Sequence, residues 1–475
     1  MKLRTSIPRR SFPLLGRLYA TLGGLGESKI LRPRGPCQLS RTSIKVLLKD
    51  LPVEIQLGGT GKRLQIHYES RLDQSCLSVP NIFVIDPDQY AAGIHGFFRL
   101  KPGTRAVLGR GDRIQQAMLA FPLGARRFHL LIVHCGDGVI VRNLSQDGAT
   151  LGSIPDELQP HRIAVVKRLL DLLGANREPL PPAAALDLLR KVNDLANRAP
   201  YQPVDAQGLP GGLLELPYHL TPVLVGDLHG QFENLLTILS QNRFLEMIER
   251  GKAYLLLLGD LVHSEENNLL ANMDGSMVMM DLYFRLKSLF PLGVFFIRGN
   301  HDSFAEEVSK QGIPQGLLWA KALRERRGLA YLEGMEQFYN TLPYMAVSGD
   351  YIACHGGPPR TKVSRDLLIN MKGDPSLVRE VISNRFRHPG NMQGYTNRHI
   401  EDLRLVLGLT IPNTAVIVGH TPVNYQDTLW ANAGGIKGHY ILFSAKPNEV
   451  GLITRVGGWF VPMRFAVEEV TRQSS

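Results

Sequence analysis

One pattern recurs five times beyond residue 213: a short apolar, β-prone run ends in Gly or Cys, and a side chain able to bind metal follows at once. The runs are VLVGDLHGQ (223–231), LLLLGDLVHSE (255–265), VFFIRGNHD (294–302), YIACHGG (351–357) and AVIVGHTP (415–422). Continuous apolar runs read as strands buried on both faces, and in α/β folds ligands collect just beyond the strands' carboxyl ends. This spacing predicts that Asp227, His229, Asp260, Asn300, His301, His355 and His420 meet at one rim. Helical patterns at 232–249 and 275–290 supply the crossovers that a parallel sheet requires.

The residue types indicate the chemistry. A single Gly-Asp after an apolar run is more often a turn than a ligand, but five such ends in order are hard to obtain by coincidence. Two aspartates, one asparagine oxygen and three imidazoles form a mixed O/N donor set suited to Mn, Fe or Zn, with no thiolate to demand a soft metal. Two divalent ions sharing one carboxylate would sit ~3.5–4 Å apart, bridge a hydroxide and clamp the oxygens of a phosphoryl group during in-line attack. His301, beside a ligating asparagine, is placed to protonate the departing alkoxide, since imidazole titrates near neutral pH.

Across about 214–475 these motifs resemble the metallophosphoesterase superfamily and, within it, the phosphoprotein phosphatases, which carry GDxHGQ, GDxxDRG, RGNHE, HGG and a late histidine. The resemblance implies a two-sheet α/β sandwich around a dinuclear centre. It assigns Asp227 and His229 to the first metal, Asp260 as the bridge, and Asn300, His355 and His420 to the second. His301 becomes the general acid and Arg298 a supporting cation. The chain departs from the family where Asp-Arg of GDxxDRG is replaced by His263 and Ser264. The catalytic candidates are therefore His301, Asp302 and His263, with Asp302 or Glu265 as possible partners of His301. Arg298, Arg385, Arg387 and Arg398 are the candidates for holding phosphate. His439 reads as structural.

From about Ile44 to Ser153 the pattern changes to short alternating runs separated by turns, which favours an all-β sandwich or barrel. Within it FRLKPGTRAVLGR (98–110), RRFHLLI (126–132) and VRNLSQDGATL (141–151) resemble the forkhead-associated (FHA) family, β-sandwiches whose loops bind phosphothreonine peptides. The resemblance implies phosphopeptide contacts from Arg110, Arg126 and Ser145, with His129 as a scaffold residue. Arg126 replaces the family's phosphate-contacting Ser, Asp147 its Asn and Ala149 its Thr. An arginine binds phosphate bidentately, whereas an added carboxylate repels it.

These readings predict a multidomain chain: a basic tail at 1–43, an FHA-like β-sandwich at 44–155, a helical connector and linker at 156–212, and a two-sheet α/β metallophosphoesterase domain at 213–475. In the connector Ile163, Val166, Leu169 and Leu173 fall on one helical face, and Leu188, Val192 and Leu195 on another. The net charge of +11 belongs mostly to the tail: the first fifty residues hold eleven Lys or Arg against Glu27 and Asp50, leaving only +2 for the rest. That distribution argues against a nucleic-acid partner for the folded body. No apolar stretch approaches the ~18 residues of a membrane span. The four cysteines stand singly, pointing to a reducing, cytoplasmic setting. The function expected is a phosphoester hydrolase with two divalent metals, Mn first and Fe or Zn as alternatives. Its expected substrate is phosphoserine or phosphothreonine in a phosphorylated protein or peptide, with the FHA-like region targeting or regulating it. The alternatives are a nucleotide hydrolase similar to the diadenosine tetraphosphate hydrolases, and a phosphopeptide-binding adaptor with an inactive phosphatase fold.

Overall fold

The computed structural model describes residues 29–30, 36–39, 43–68, 81–92, 96–110, 119, 121–122, 125–155, 157–173, 178–266, 269–387, 392–409, 414–421, 428–456 and 458–467. These fall into two compact units that divide between Glu157 and Leu158. In the first, strands β1 (Lys29–Ile30), β2 (Cys37–Leu39), β3 (Ile44–Leu47), β4 (Val53–Leu57), β5 (Arg63–Tyr68) and β6 (Ile82–Ile85) precede one short helix, α1 (Pro87–Ala92). Then come β7 (Phe97–Leu100), β8 (Arg105–Leu108), β9 (Leu130–His134), β10 (Gly138–Asn143) and β11 (Ala149–Ser153). They form a five-stranded sheet in the order β1-β3-β10-β9-β8 and a six-stranded one in the order β2-β11-β4-β5-β6-β7. Alternation drives the burial: β4 buries Val53, Ile55 and Leu57 while Glu54 and Gln56 turn away. The expected tail loses part of its span, because β1 pairs with β3 and β2 with β11. Most of the remainder of 1–43 lies outside the described residues.

The second unit opens with α2 (Leu158–Leu173) and α3 (Pro182–Ala196). The connector is thus part of this unit: α3 packs on helices α6 (Asp274–Leu289) and α8 (Leu329–Thr341). On α2 the buried face runs through Val165, Val166 and Leu169, while Ile163 is exposed. One sheet is built from β13 (Thr221–Val225), β14 (Ala253–Leu257), β15 (Val294–Phe296), β21 (Glu449–Val456) and β22 (Trp459–Ala466), in the order β15-β14-β13-β21-β22. The other is built from β12 (Leu213–Glu215), β16 (Met345–Ser348), β17 (Tyr351–Cys354), β18 (Ala415–Val418), β19 (Leu429–Ala431) and β20 (His439–Leu442), in the order β12-β16-β17-β18-β20-β19. Both sheets are mixed. β13, β14 and β15 run parallel, as do β17, β18 and β20, while β21, β22 and β19 are antiparallel additions.

One apolar core joins the sheets, drawing Leu224, Leu256 and Phe295 from the first and Ala346, Ala353 and Ile417 from the second. The outer face of the second sheet, with Ile352, Val416 and Val418, is covered by residues such as Leu377 of α10 (Pro375–Ser383) and Ile400 and Leu403 of α11 (Asn397–Val406). Strands covered on both faces need apolar residues at every position, which is why these segments read as unbroken runs. Among the described residues no helix is long and apolar enough to cross a membrane, and Cys37, Cys135 and Cys354 are free thiols.

Candidate metal centre

The turns that follow β13, β14, β15, β17 and β18 carry Asp227, Asp260, Asn300, His355 and His420 to one rim. Ligand atoms of Asp227, His229 and Asp260 lie within 4.8 Å of one another, as do those of Asp260, His355 and His420, so Asp260 belongs to both groups. His355 Nε2 is 3.0 Å from Asn300 Oδ1 and 3.2 Å from Asp260 Oδ2. Two neighbouring ligands on an ion about 2.1 Å away are separated by roughly 3 Å when they subtend a right angle, so this spacing suits a shared cation.

The imidazoles are oriented from behind. His355 Nδ1 donates to Leu258 O at 2.7 Å and His229 Nδ1 to His263 O at 3.0 Å, which turns both Nε2 lone pairs toward the carboxylates. His229 Nε2 then stands 3.8 Å from Asp227 Oδ2 and 3.9 Å from Asp260 Oδ2. Acceptors converging in a buried pocket require a cation or a proton between them. Without metal, protons take that role. Burial, and secondarily Asp260, pushes the Asp227 carboxyl up to about 6. Burial lowers His355, but Asp260 and Asp227 outweigh it and bring the ring to about 9. The donor set fits two divalent ions.

His301 sits beside this cluster, its ring 5.0 Å from and perpendicular to that of His229. Its Nδ1 meets Nδ1 of His263 at 3.2 Å. His263 is fully buried, its Nε2 lacks a hydrogen-bond partner and its ring meets Trp319 edge-on. Asp302 does different work from the partner expected for His301. Its two oxygens accept the backbone N–H groups of Asp260 at 2.8 Å, Gly299 at 2.9 Å and Leu261 at 3.2 Å. It therefore ties the β15 turn to the β14 turn and fixes the aspartate common to both groups. Glu265 pairs with Lys310 and lies 3.7 Å from His229 Nε2.

The expected phosphate-holding arginines separate. Arg298 donates to the backbone oxygens of Asp302 and Tyr339 and to Tyr344 Oη, which gives it a bracing rather than a substrate-facing position. Arg398 is 83% exposed on α11 and paired with Asp402. Arg385 is exposed and, after burial and His355, contributes to the lowered basicity of His420. Arg387 lines an open cavity of 570 Å³ with Phe386, Met392 and Thr396. His439 is buried between Tyr395 Oη and Ala433 O, a structural position.

In the first unit Arg126 is already paired with Asp147, through Nε to Oδ2 at 2.8 Å and Nη2 to Oδ1 at 3.2 Å. Ser145 Oγ donates to the same carboxylate at 3.1 Å. Arg110 is exposed and directs Nε to Ala125 O at 2.6 Å. His129 is buried, with Nε2 3.3 Å from Gly148 O. Sequence reasoning missed both the internal neutralisation of Arg126 and the approach of Lys310 to the metal rim; the first was suggested by Asp147, the second by nothing local.

Residues 220–424 match the calcineurin-like phosphoesterase family. They form a metallophosphoesterase domain, of a family that uses divalent metals. Among solved structures the chain is similar to a protein serine/threonine phosphatase from Saccharomyces cerevisiae with similarity to human phosphatase PP5, at 16% identity over 60% of this chain and 90% of that one, TM-score 0.46. It is also similar to a mutant of a cold-active protein tyrosine phosphatase, at 12% identity over 85% and 100%, TM-score 0.36. A third is the cold-active protein-tyrosine phosphatase of the psychrophile Shewanella sp., at 12% identity over 85% and 100%, TM-score 0.34.

Proposed function

We propose, with the metallophosphoesterase domain at 220–424 as the premise, that this chain is a metal-dependent phosphatase acting on phosphoserine or phosphothreonine in proteins. The observation that carries the proposal is the convergence of two buried carboxylates, one amide oxygen and three imidazoles, two of them oriented by backbone carbonyls, with Asp260 common to both groups. Asp227 and His229 would hold one ion, Asn300, His355 and His420 the other, and Asp260 both. When bound, the ions supply Lewis acidity toward phosphoryl oxygens and a nucleophile from water; Mn suits this hard O/N set, with Fe or Zn as alternatives.

The chain's own residues do the rest. Burial lowers the His301 ring to about 4 in the metal-free centre, so its role as donor to the leaving oxygen requires that it take up a proton together with the phosphate dianion, and His263 fixes its ring. Burial pulls the basicity of His263 well below the usual imidazole range, so it remains neutral and accepts at Nδ1. Asp302 holds the Asp260 turn through three N–H groups. Arg385 faces substrate from the His420 side, and the open cavity beside it offers apolar and cationic lining for a peptide. The N-terminal unit is read as an FHA-like module for targeting or regulation, on its two antiparallel-rich sheets and the motif around Arg110, Arg126 and Ser145. A cytoplasmic setting accords with the free thiols.

The nucleotide-hydrolase reading is favoured by one observation, His263 and Ser264 in place of Asp-Arg. The inactive-adaptor reading is disfavoured by the intact ligand set. The test is parallel assay of the Mn-loaded full chain on phosphothreonine peptides, diadenosine polyphosphates and a generic aryl phosphate. Turnover of the peptides supports the proposal, and turnover of the dinucleotides alone replaces it with the second reading. No turnover on any substrate leaves the adaptor.

A further inference from the structure

A cation from a distant part of the chain approaches the centre beside His263 and Ser264. Glu265, next in the chain, forms an ion pair through Oε1 with Lys310, and the same oxygen is 3.7 Å from His229 Nε2. Glu265 also lies within electrostatic reach of His301. Lys310 Nζ is thus one carboxylate away from a metal-binding imidazole and on the general-acid side. Both side chains stay about one-third exposed, at 31% for Lys310 and 29% for Glu265, so a ligand can reach them.

The backbone holds Lys310 firmly. Lys310 and Ile313 exchange both backbone hydrogen bonds, at 3.1 and 2.9 Å, around Gln311 and Gly312 at φ values of 52° and 79°. Two central residues at positive φ make the tight two-residue turn that reverses a hairpin, and Gln311 accepts a conformation that side chains avoid. Arg385 lies within electrostatic reach of His420, a ligand of the other group. Arg298 and Arg398 are engaged elsewhere.

We propose that Lys310 is the cation that receives the phosphate of the substrate on the His229–His301 side of the centre, with Glu265 as the carboxylate that positions it. This deepens the phosphoester-hydrolase reading and rests on it for the identity of the substrate. An ammonium carries three donors, so Lys310 donates one to Glu265 and keeps others for a phosphate monoester dianion. The dianion outweighs a single carboxylate in attracting it, and a charge-assisted bond to phosphate is among the stronger hydrogen bonds. Glu265 itself lies outside the two groups of mutually close ligand atoms, which suits a positioning carboxylate.

The experiment uses the Mn-loaded full chain, with inorganic phosphate binding by calorimetry, metal content, and steady-state kinetics on an aryl phosphate. Lys310→Met is expected to weaken phosphate binding and raise KM by about 10–100-fold, with metal content unchanged and kcat altered less than KM. Lys310→Arg should recover most of the affinity, and Lys310→Gln replaces Lys310→Met should that variant not fold. Glu265→Gln should retain metal and bind phosphate at least as well as the wild type. Undiminished phosphate binding by Lys310→Met overturns the inference. So does loss of metal from Glu265→Gln, which would make that carboxylate a ligand and Lys310 its neutraliser, and so does a wild-type chain that binds no phosphate. Lysine-dependent phosphate binding without turnover of any ester supports the inference while ending the hydrolase reading.

Discussion

At Asp260 the backbone is as informative as the carboxylate. It lies at φ 53°, and His229, His263 and His420 share this left-handed region at 46°, 70° and 61°. Non-glycine residues held there cost of order 1–3 kcal/mol each and persist where their surroundings over-determine them. Here the strain aims donors at a shared point. Asp260→Asn should keep the fold yet lose most bound metal and nearly all turnover, because one anion is withdrawn from both ions. Near-normal metal content with substantial activity would exclude the bridge. His301→Ala should instead keep its metal and lose about 10²–10⁴ in kcat, with the deficit shrinking for aryl leaving groups that need no proton. Metal uptake should also be pH-dependent in a defined direction. The His355 ring, at about 9 in the metal-free protein, is protonated at neutral pH, whereas its Nε2 must be bare to ligate. Metal affinity should therefore rise about tenfold per pH unit from pH 7 toward 9 and level off above it, with Asp227 adding a further loss below about 6. Calorimetry in buffers of different ionisation enthalpy reads the released proton directly.

At the scale of elements, glycines before Asn300 and His420 let the strand-end turns approach one another. A Cβ on Gly299 would fall 2.2 Å from Asp260 Oδ1, and one on Gly419 2.4 Å from Asp227 Oδ1. Gly419→Ala should therefore displace Asp227 and lower metal affinity by about 10–100-fold, while circular dichroism stays near wild type. The helical layer has its own fastening. Asp281 on α6 makes a bidentate, buried pair with Arg327 at the end of α7 (Gln315–Arg327) and accepts the N–H of Leu180 at 2.8 Å. Asp281→Ala leaves that guanidinium buried without its anion and should cost about 3–5 kcal/mol in denaturant unfolding. The five ligand-bearing strands were legible in the sequence because burial on both faces forces unbroken apolar runs and the ligands follow them directly. The sheet order was not legible: β21 inserts beside β13 from more than two hundred residues away, and no local pattern encodes that pairing. Side-chain partners across turns were equally hidden. Asp302 resembles a catalytic partner by its place next to His301, but it closes hydrogen bonds on a turn forty residues earlier. Ile163 fits the apolar face of α2 by periodicity and is nevertheless exposed, because that face is buried through Val165, Val166 and Leu169.

For the whole molecule, phosphate-oriented chemistry is suggested twice, in two compact units each with its own core. In the first unit the carboxylate of Asp147 now occupies Arg126 and Ser145, and the Arg126 guanidinium is the main reason its acidity is strengthened. A phosphothreonine arriving there must displace that carboxylate, whereas Arg110 remains exposed at the LGR motif. This internal pairing sets the sign of two substitutions. Arg110→Ala should weaken binding of a phosphothreonine peptide to the full chain. Asp147→Asn should free Arg126 and strengthen binding about tenfold, the gain fading with added salt as the exposed charges are screened. Neither change should alter hydrolysis of a small aryl phosphate, since the ligand cluster lies wholly within the second unit. Titration of both variants against phosphorylated and unphosphorylated peptide libraries, with aryl phosphate kinetics on the same samples, separates reader from scaffold. If Asp147→Asn gains no phosphate-dependent binding and Arg110→Ala loses none, the two-sheet unit is a scaffold and not a phosphopeptide reader.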